Sequence, residues 1–221
     1  MNRVRVLVEG QTEQAFVKDI LKPYFDLRQI YLHAVKLRRQ GGITPYERAK
    51  DVIVKSLKED SGLICTTMVD FYAMPTDWPG RIESKSCRNY QDKAQKVEQS
   101  LLDDIIKQIS EKWNPERFIP YVQMHEFEAL LFSAPVKLAE SLGDSNLASD
   151  LIKIRNECST PEEINDNHDT CPSRRIKYVF QGFRKIANGI SAASLIGLET
   201  MRQECPHFNE WIAKLENLEN R

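Results

Sequence analysis

The sequence lacks the features that mark membrane and secreted proteins. No apolar run approaches the ~20 residues that a helix needs to cross a bilayer. At the N-terminus, MNRVRVLVEG, charges interleave with apolar residues and no small-residue cleavage site follows, so we expect no signal peptide. These absences predict a cytoplasmic protein without a membrane partner.

Cysteine and net charge are also scarce. The five cysteines are odd in number and include no C-x-x-C pair, which predicts free thiols rather than a disulfide framework. A formal net charge of -1 provides no overall basic field that would hold a long nucleic acid by counterion release. Binding of nucleic acid would therefore need a local basic patch, a partner protein or bridging metal ions.

Two groups of catalytic motifs are missing as well. The sequence has no G-x-x-x-x-G-K-[ST] loop, so no ATP site is recognisable in it. It also has no G-x-S-x-G elbow, and none of its four histidines lies beside a nucleophile at the position of a general base. A hydrolase of the Ser-His-Asp or Cys-His type is therefore not expected.

What the sequence does contain is an alternation of strand and helix patterns. Strands are predicted over residues 3–8, 29–37, 63–69 and 118–124. Amphipathic helices are predicted between them, and in the first one Thr12 is expected to act as the cap and Pro23 to break the last turn. The alternation favours an α/β fold in which a mostly parallel four-stranded sheet is flanked by helices.

The second part of the chain has a different pattern. Residues 70–90 show no periodicity and predict a long loop, whereas strand signals fade beyond Pro135 and only helical periodicity remains. A chain of 221 residues is long enough for one domain and a substantial extension. We therefore predict an α/β domain over residues 1–135 and a helical C-terminal extension over residues 136–221.

Acidic residues follow three of the predicted strands. Glu9 comes after the first strand, Asp70 after the third, and Glu126 and Glu128 after the fourth. Because the carboxyl ends of parallel strands form the binding crevice of such sheets, these acids are expected to converge. Carboxylates without basic partners repel one another, and a hard cation such as Mg²⁺ or Mn²⁺ relieves that repulsion. The pattern predicts a metal site.

Each acid also has an ordinary structural explanation. Glu13, Glu126 and Glu128 fall in the first turns of predicted helices, where the helix dipole alone favours an acidic residue. Asp70 also fits a turn residue, and His125 fits a hydrogen-bonded partner better than a metal ligand. The prediction of a functional site thus depends on the group and not on any one member.

Several runs of the sequence resemble known families. The run Val6-Leu7-Val8-Glu9-Gly10-Gln11-Thr12-Glu13, with Asp70 after the third strand, resembles the toprim domain of topoisomerases, primases and the overcoming-lysogenization-defect nucleases. The runs DFYAMPTDWPG, FIPYVQMHEFEALLF, CPSRRI and IGLETMRQECPHFNEW resemble the bacterial domain of unknown function 4276 family over nearly the whole chain. The resemblance implies a toprim-like fold and metal-dependent cleavage of DNA or RNA.

The toprim resemblance also implies roles for individual residues. Glu9 corresponds to the glutamate near the metal, Asp70 to the first acid of a D-x-D metal-binding pair, and Glu13 to an additional acid of the nuclease branch. This sequence departs from the pattern at Tyr72, which stands where the second aspartate is expected. The missing oxygen ligand would then come from Asp77, in the loop, or from the pair Glu126 and Glu128, which we favour.

A cation would help to neutralise charge that develops on a phosphate. The candidates are Lys85, Arg88, Arg174, Arg175 and Lys177. Arg174 and Arg175 are preferred because they lie in the family-like run CPSRRI, although all five also fit solvated surface charge. The basic loop from Lys36 to Arg39 has the same two explanations.

Partners are implied by resemblance alone. Relatives of this family are often encoded beside an ATPase of the ABC or structural-maintenance type, which implies the effector half of an antiphage system. The apolar helices of the extension would either cover their own core or dock on a partner, so a homo-oligomer stays open. Sequence does not separate DNA from RNA as the substrate.

Three other functions remain open at this stage. Loss of the D-x-D pair would leave a regulatory adaptor of an ATPase, and metal-bound acids would equally serve a small-molecule phosphohydrolase or nucleotidyl transferase. A zinc site is the third alternative, although its residues lack the paired spacing of structural zinc sites. Its ligands would come from Cys158, His168, Cys171, Cys205 and His207.

Overall fold

The computed structural model describes residues 2–37, 44–109, 113–164, 167 and 169–220. Its strands are β1 (Asn2–Val8), β2 (Ile30–Lys36), β3 (Leu63–Asp70), β4 (Phe118–Ile119) and β5 (Val122–Gln123). They form one parallel sheet in the order β2-β1-β3-β4, with β5 also paired to β3. The predicted α/β fold with a mostly parallel sheet flanked by helices is confirmed.

The predicted fourth strand is present in two short pieces. β4 and β5 keep the same register against β3, since Thr66 pairs with Ile119 and Val69 with Val122. Pro120 lies between the pieces and has no backbone N–H to give to a ladder. Thr67 fills the gap, because its Oγ1 accepts from the backbone N of Tyr121 and donates to the backbone O of Tyr121, both at 2.9 Å.

Helices account for most of the remaining chain. The α-helices are α1 (Gln11–Phe16), α2 (Lys22–Asp26), α3 (Tyr46–Glu59), α4 (Tyr90–Gln108), α5 (Pro135–Ser141), α6 (Ala148–Asn156), α7 (Pro172–Val179), α8 (Lys185–Ile196), α9 (Leu198–Glu204) and α10 (Pro206–Glu216). Shorter 3-10 turns cover Glu83–Ser86, Pro115–Arg117, Phe127–Ser133, Ser145–Leu147, Pro161–Glu163 and Asn217–Asn220. Among the described residues, no helix is long and apolar enough to cross a membrane.

The two faces of the sheet bury different residues of the same strands. Along β1, Val4, Val6 and Val8 belong to one apolar cluster and Leu7 belongs to the other. Successive side chains of a strand point to opposite faces of the sheet, which explains the alternation. The first cluster contains α1, α2 and the C-terminal helices, with Phe208 and Trp211 fully buried. The second contains the apolar sides of α3 and α4. The result is a sheet covered by helices on both faces.

The first helix departs from prediction at both ends. Gly10 and not Thr12 is the N-cap. Because glycine has no side chain, only one half of a capping box forms, in which the Glu13 carboxylate accepts from the backbone N of Gly10 at 2.8 Å. At the other end, Pro23 does not terminate the helix. A π turn over Val17–Leu21 precedes it, with the backbone N of Lys22 donating to the backbone O of Val17, and α2 continues to Asp26.

The region beyond the predicted boundary packs directly on the sheet. α5 begins at Pro135, where the sequence predicts the start of the extension. The helices that follow contribute Met201, Phe208, Trp211 and Leu215 to the apolar cluster that covers β1 and β3. This places much of the core of the α/β part in the last quarter of the chain.

Candidate functional site

The predicted acids lie at the carboxyl edge of the sheet. The backbone N of Asp70 donates to Glu9 Oε2 at 3.4 Å, and the backbone N of Phe127 donates to Asp70 Oδ1 at 3.1 Å. Asp70 therefore joins the end of β1 to the turn that carries Glu126 and Glu128. We refer to Glu9, Glu13, Asp70, Glu126 and Glu128 as the acidic cluster.

Glu13 has a structural role as well as its place in the cluster. Its carboxylate caps α1 through the backbone N of Gly10, and its side chain is buried. A Cβ at position 10 would lie 3.0 Å from Glu13 Oε2, so glycine keeps this carboxylate close to the strand end. The capping geometry holds Glu13 close enough to Asp70 for its charge to raise the pKa of Asp70.

Glu126 is held by the N-terminus of α7. Its Oε2 accepts from the backbone N of Ser173 at 2.9 Å, and its Oε1 accepts from Ser173 Oγ at 3.1 Å. Bonds of this kind at a helix N-terminus favour the ionised carboxylate. The segment from Cys171 to Ser173, which belongs to the CPSRRI run, thus reaches the site and fixes one of its acids.

Lys185 is the residue of the candidate site that the sequence did not predict. Its Nζ lies 2.9 Å from Glu126 Oε1 and 3.3 Å from Glu128 Oε2. A faint signal exists in the sequence, because Lys185 opens α8 directly after Arg184 and the first turn of that helix has no acidic residue. Two cations at a helix N-terminus are opposed by the dipole, which indicates an acidic partner elsewhere in the fold.

The electrostatics of the cluster are those of crowded carboxylates in a poorly solvated place. Burial, followed by the charges of Glu13, Glu9 and Glu128, raises the pKa of Asp70 well above its ordinary value. Burial also raises the pKa of Glu13. For both groups the charge of Lys185 acts in the opposite direction.

The two glutamates that contact Lys185 differ from each other. Burial raises the pKa of Glu128 to about 7, against the charge of Lys185. Burial acts on Glu126 in the same sense, but the ion pair with Lys185 and the bonds from Ser173 outweigh it and lower the pKa of Glu126. Burial thus favours the protonated form of Glu128, whereas Lys185 and Ser173 keep Glu126 in its ionised form.

The donor set fits a hard divalent cation chemically. Carboxylate oxygens are the ligands that Mg²⁺ and Mn²⁺ prefer, and Glu128 Oε1 is buried without a hydrogen-bond partner in the part of the chain that the structure describes. Within that same part, no three His, Cys, Asp or Glu side chains already converge on one point in metal-binding geometry. Glu13 and Glu126 instead bind backbone groups, and Lys185 lies between Glu126 and Glu128.

The predicted arginines differ in how they are placed. Arg175 is bound on the protein surface, because its Nη1 lies 2.6 Å from Glu157 Oε2 and its Nε donates to the backbone O of Thr170. Arg174 is exposed and its charge acts on Tyr72. Lys177 is exposed on α7, and Lys85 and Arg88 are exposed in the loop before α4.

The loop after β3 takes Tyr72 and Asp77 to different places. The backbone N of Tyr72 donates to the backbone O of His125 at 2.8 Å, which ties the loop to the strand end that precedes Glu126. Asp77 instead accepts from the backbone N of Tyr46 at 2.9 Å, at the start of α3. Ala73 and His125 both have φ near +60°, a strained conformation for these residue types that is concentrated at functional sites.

The cysteine and histidine residues of the zinc alternative have other surroundings. Cys205 Sγ lies 3.4 Å from Ser133 Oγ, whereas His207 Nε2 lies 2.9 Å from Glu98 Oε1. Cys171 caps α7 beside Glu126. His168, like Arg38 and Arg39 of the basic loop, lies outside the described residues.

Comparison with known proteins places this chain in a family. Among solved structures, the C-terminal region of the Xanthomonas campestris pv. campestris OLD protein is similar at 17% identity, covering 96% of this chain and 97% of that chain with a TM-score of 0.35. No curated protein matches the chain. The profile of DUF4276, described as a domain of unknown function, matches residues 8–216. The predicted family is thereby confirmed, and the chain belongs to the DUF4276 family.

Proposed function

We propose that this protein is a metal-dependent nuclease that hydrolyses phosphodiester bonds at the acidic cluster. The observation that carries the proposal is that five acids from separate parts of the chain lie near one another at the carboxyl edge of a parallel sheet, where Lys185 contacts two of them. Burying like charges is costly. A protein keeps such a group where a cation and an anionic substrate complete it.

The residues divide into those that would hold a metal and those that position them. Glu9, Asp70, Glu126 and Glu128 would hold Mg²⁺ or Mn²⁺, which when bound polarises a phosphate oxygen and lowers the pKa of water. Glu13 fixes the turn after β1 through Gly10 and adds negative potential. Ser173 orients Glu126.

Lys185 supplies positive charge next to the acids. Its ion pairs with Glu128 and Glu126 raise its pKa despite burial, so it is charged throughout the neutral range. With 42% of its side chain exposed, it connects the buried carboxylates with solvent, where a phosphate would approach. A fixed cation at this place stabilises charge that develops on phosphate oxygens. We assign this role to Lys185 in addition to the sequence candidates Arg174 and Arg175.

The biological setting that we propose rests on the sequence resemblance. The protein would be the effector half of a bacterial antiphage system. It would cleave DNA or RNA together with an ATPase of the ABC or structural-maintenance type. Purification of the tagged chain from a host that expresses the adjacent ATPase tests this part. A complex that survives gel filtration supports it, whereas separate elution of the two proteins contradicts it.

The first test of the nuclease is cleavage by purified protein. Plasmid DNA, single-stranded DNA and transfer RNA are incubated in Mg²⁺ or Mn²⁺ with wild type, with Asp70→Asn and with the matched control Asp150→Asn, an exposed acid on α6. We expect metal-dependent cleavage by wild type and the control, and at least an approximately 100-fold loss for Asp70→Asn, since even outer-shell changes cost up to about that much. Equal activity of all three would contradict the assignment.

A second readout does not depend on activity. Because ionisation of Asp70 beside Glu13, Glu9 and Glu128 is costly, Asp70→Asn is expected to raise the melting temperature in EDTA and to reduce the rise that Mn²⁺ causes in wild type. Lys185→Met should do the reverse, with a lower melting temperature in EDTA and a larger rise with Mn²⁺. The two variants keep side-chain size nearly constant, so opposite shifts report on charge.

One observation favours a second function, that of a metal-free adaptor. Lys185 already occupies the space between Glu126 and Glu128, as a metal-independent neutralising group would. An adaptor requires that neither Mg²⁺ nor Mn²⁺ changes the melting temperature of wild type and that the chain still binds its ATPase. A cation-dependent shift that Asp70→Asn abolishes would exclude the adaptor.

A further inference from the structure

The outer side of α7 is unusual for a surface helix. Its inner residues Ser173 and Ile176 are buried, whereas Arg174, Lys177 and Tyr178 are exposed. Tyr178 is 90% exposed and is the most exposed large apolar or aromatic side chain in the described part of the chain. An aromatic ring exposed among cations has the chemistry to stack on a planar ligand that carries negative charge.

The exposed residues of α7 lie together on one face. Arg174 and Lys177 are three residues apart, and Arg174 and Tyr178 are four apart, so helical geometry makes them neighbours. The patch therefore alternates positive charge with an aromatic ring. Arg184, which is exposed shortly after α7, extends the positive charge toward Lys185.

The patch begins at the acidic cluster. The N-terminus of α7 holds Glu126 through Ser173, and Tyr178 lies five residues further along, which is about 8 Å of helix. A second, half-buried ring lies near this start, since Tyr72 is within reach of the charges of both Glu126 and Arg174. Its backbone is fixed by the bond to His125 and by the strained Ala73.

We propose that Tyr72 and the α7 face formed by Arg174, Lys177 and Tyr178 are a platform for single-stranded nucleic acid, which leads the strand into the acidic cluster. The proposal deepens the proposed nuclease by naming its substrate class. Exposed aromatic rings stack on the faces of unpaired bases, and interspersed cations follow the backbone. Bases within a duplex are already stacked and paired, so rings at this position have no access to them without base flipping.

Charge also favours a single strand over a long duplex. The chain has a formal net charge of -1 and so lacks the extended positive field by which proteins hold duplex DNA. A short platform with local cations suffices where stacking contributes most of the binding energy. The acidic cluster repels the phosphates of a nucleic acid unless a cation is bound there. The nucleic acid strand would therefore enter the cluster only when the metal is present.

Binding in EDTA tests the platform separately from cleavage. The fluorescence anisotropy of labelled oligothymidylate, oligouridylate and a mixed-sequence DNA duplex is followed on titration with the full chain. We expect wild type to bind at least one single-stranded probe more tightly than the duplex. Tyr178→Ala should weaken binding about 5- to 150-fold, the range that corresponds to loss of one stacked base, and Tyr178→Phe should restore most of it.

Two further variants provide the controls. Lys177→Gln is expected to lower the slope of log affinity against log salt by about 0.7, as loss of one phosphate contact to a single strand does. Tyr31→Ala removes another partly exposed tyrosine, on β2 opposite Arg3 at the far end of the sheet, and should change nothing. Duplex binding as tight as single-strand binding, unaltered binding by Tyr178→Ala, or no binding by wild type would each overturn the platform. Binding without cleavage would refute the nuclease and leave the platform standing.

Discussion

Single side chains complete hydrogen bonding where the backbone does not. At the interruption between β4 and β5, Thr67 is fully buried and its hydroxyl serves both the N–H and the carbonyl of Tyr121. Thr66 performs a related task, since its hydroxyl donates to the carbonyl of Ile119 and accepts from Trp211 Nε1. Two adjacent threonines thereby replace the ladder that Pro120 interrupts.

Thr67→Val should show what this replacement contributes. Valine keeps the shape of threonine but leaves the N–H of Tyr121 without its partner in the core, and an unsatisfied group of this kind costs about 1–3 kcal/mol. We expect a loss of roughly 1–3 kcal/mol in the free energy of unfolding, measured by urea denaturation. Thr67→Ser keeps the hydroxyl and should lose clearly less. An equal loss in both variants would mean that the methyl group, not the hydroxyl, matters here.

The residues of the site were predictable only where the sheet determines their position. Glu9, Asp70, Glu126 and Glu128 follow strands, and parallel strands end at one edge, so strand patterns alone bring them together. Lys185 is the first residue of α8 and follows Glu128 by 57 residues. Its contact with the acids depends on how α8 packs. The sequence pattern does not predict how α8 packs. Its only hint is the cation at the start of the helix, where the helix dipole disfavours positive charge.

At the scale of elements, a buried polar network joins α10 to the sheet and to α4. His207 Nε2 lies 2.9 Å from Glu98 Oε1, while Glu98 accepts from the backbone N of Val122 in β5. Glu162 accepts from the backbone N of both His207 and Phe208 and so caps α10. The ring of His207 also stacks on Tyr121. The orientation of α10 therefore depends on a group of buried polar side chains.

This network predicts a stability that falls as the pH rises above neutrality. Burial alone would lower the pKa of His207, but Glu98, Glu162 and Glu210 outweigh it and raise that pKa above 6.5. Stabilisation by the charged imidazole is therefore complete below pH 6.5 and is lost as the pH rises through the higher folded-state value. Burial raises the pKa of Glu162 too, which gives the same sign of slope at lower pH.

The pH dependence is measured as the melting temperature from pH 6 to pH 9. We expect a fall in wild type that is clearly flattened in His207→Gln, because glutamine cannot carry the charge. His33→Gln replaces an exposed histidine on β2 and should follow the wild-type curve. A His207→Gln curve parallel to that of wild type would assign the slope to other groups.

Elements with strong periodicity were predicted well and those shaped by packing were not. β2 at Ile30–Lys36 and β3 at Leu63–Asp70 lie within about a residue of the predicted strands. After Glu126 the sequence predicts an ordinary helix, whereas the structure has a 3-10 turn over Phe127–Ser133 whose residues are all buried. Apolar residues on every side remove the amphipathic signal, so local pattern does not separate these states.

At the scale of the whole molecule, the C-terminal helices belong to the core of the sheet. Helical periodicity without strands predicts an extension from residue 136. It does not predict where the apolar faces of those helices pack. In the structure, α10 brings Phe208, Trp211 and Ile212 into the cluster that also contains Val4 and Val6 of β1. Tyr121 stacks on Trp211 with ring centroids 4.3 Å apart.

A fragment that ends at residue 135 should therefore not fold on its own. Without α10, one face of β1 and β3 would expose the apolar side chains that Phe208, Trp211 and Ile212 cover, at about 25 cal/mol for each Å² of apolar surface exposed. We expect fragment 1–135 to show no cooperative thermal transition by circular dichroism. Mixing it with fragment 136–221 should restore a transition, because the two halves share one core. A cooperative melt of fragment 1–135 alone would instead establish it as an independent domain. The C-terminal helices would then be an accessory layer, and their removal would leave the acidic cluster in place but take away its partners Lys185 and Ser173.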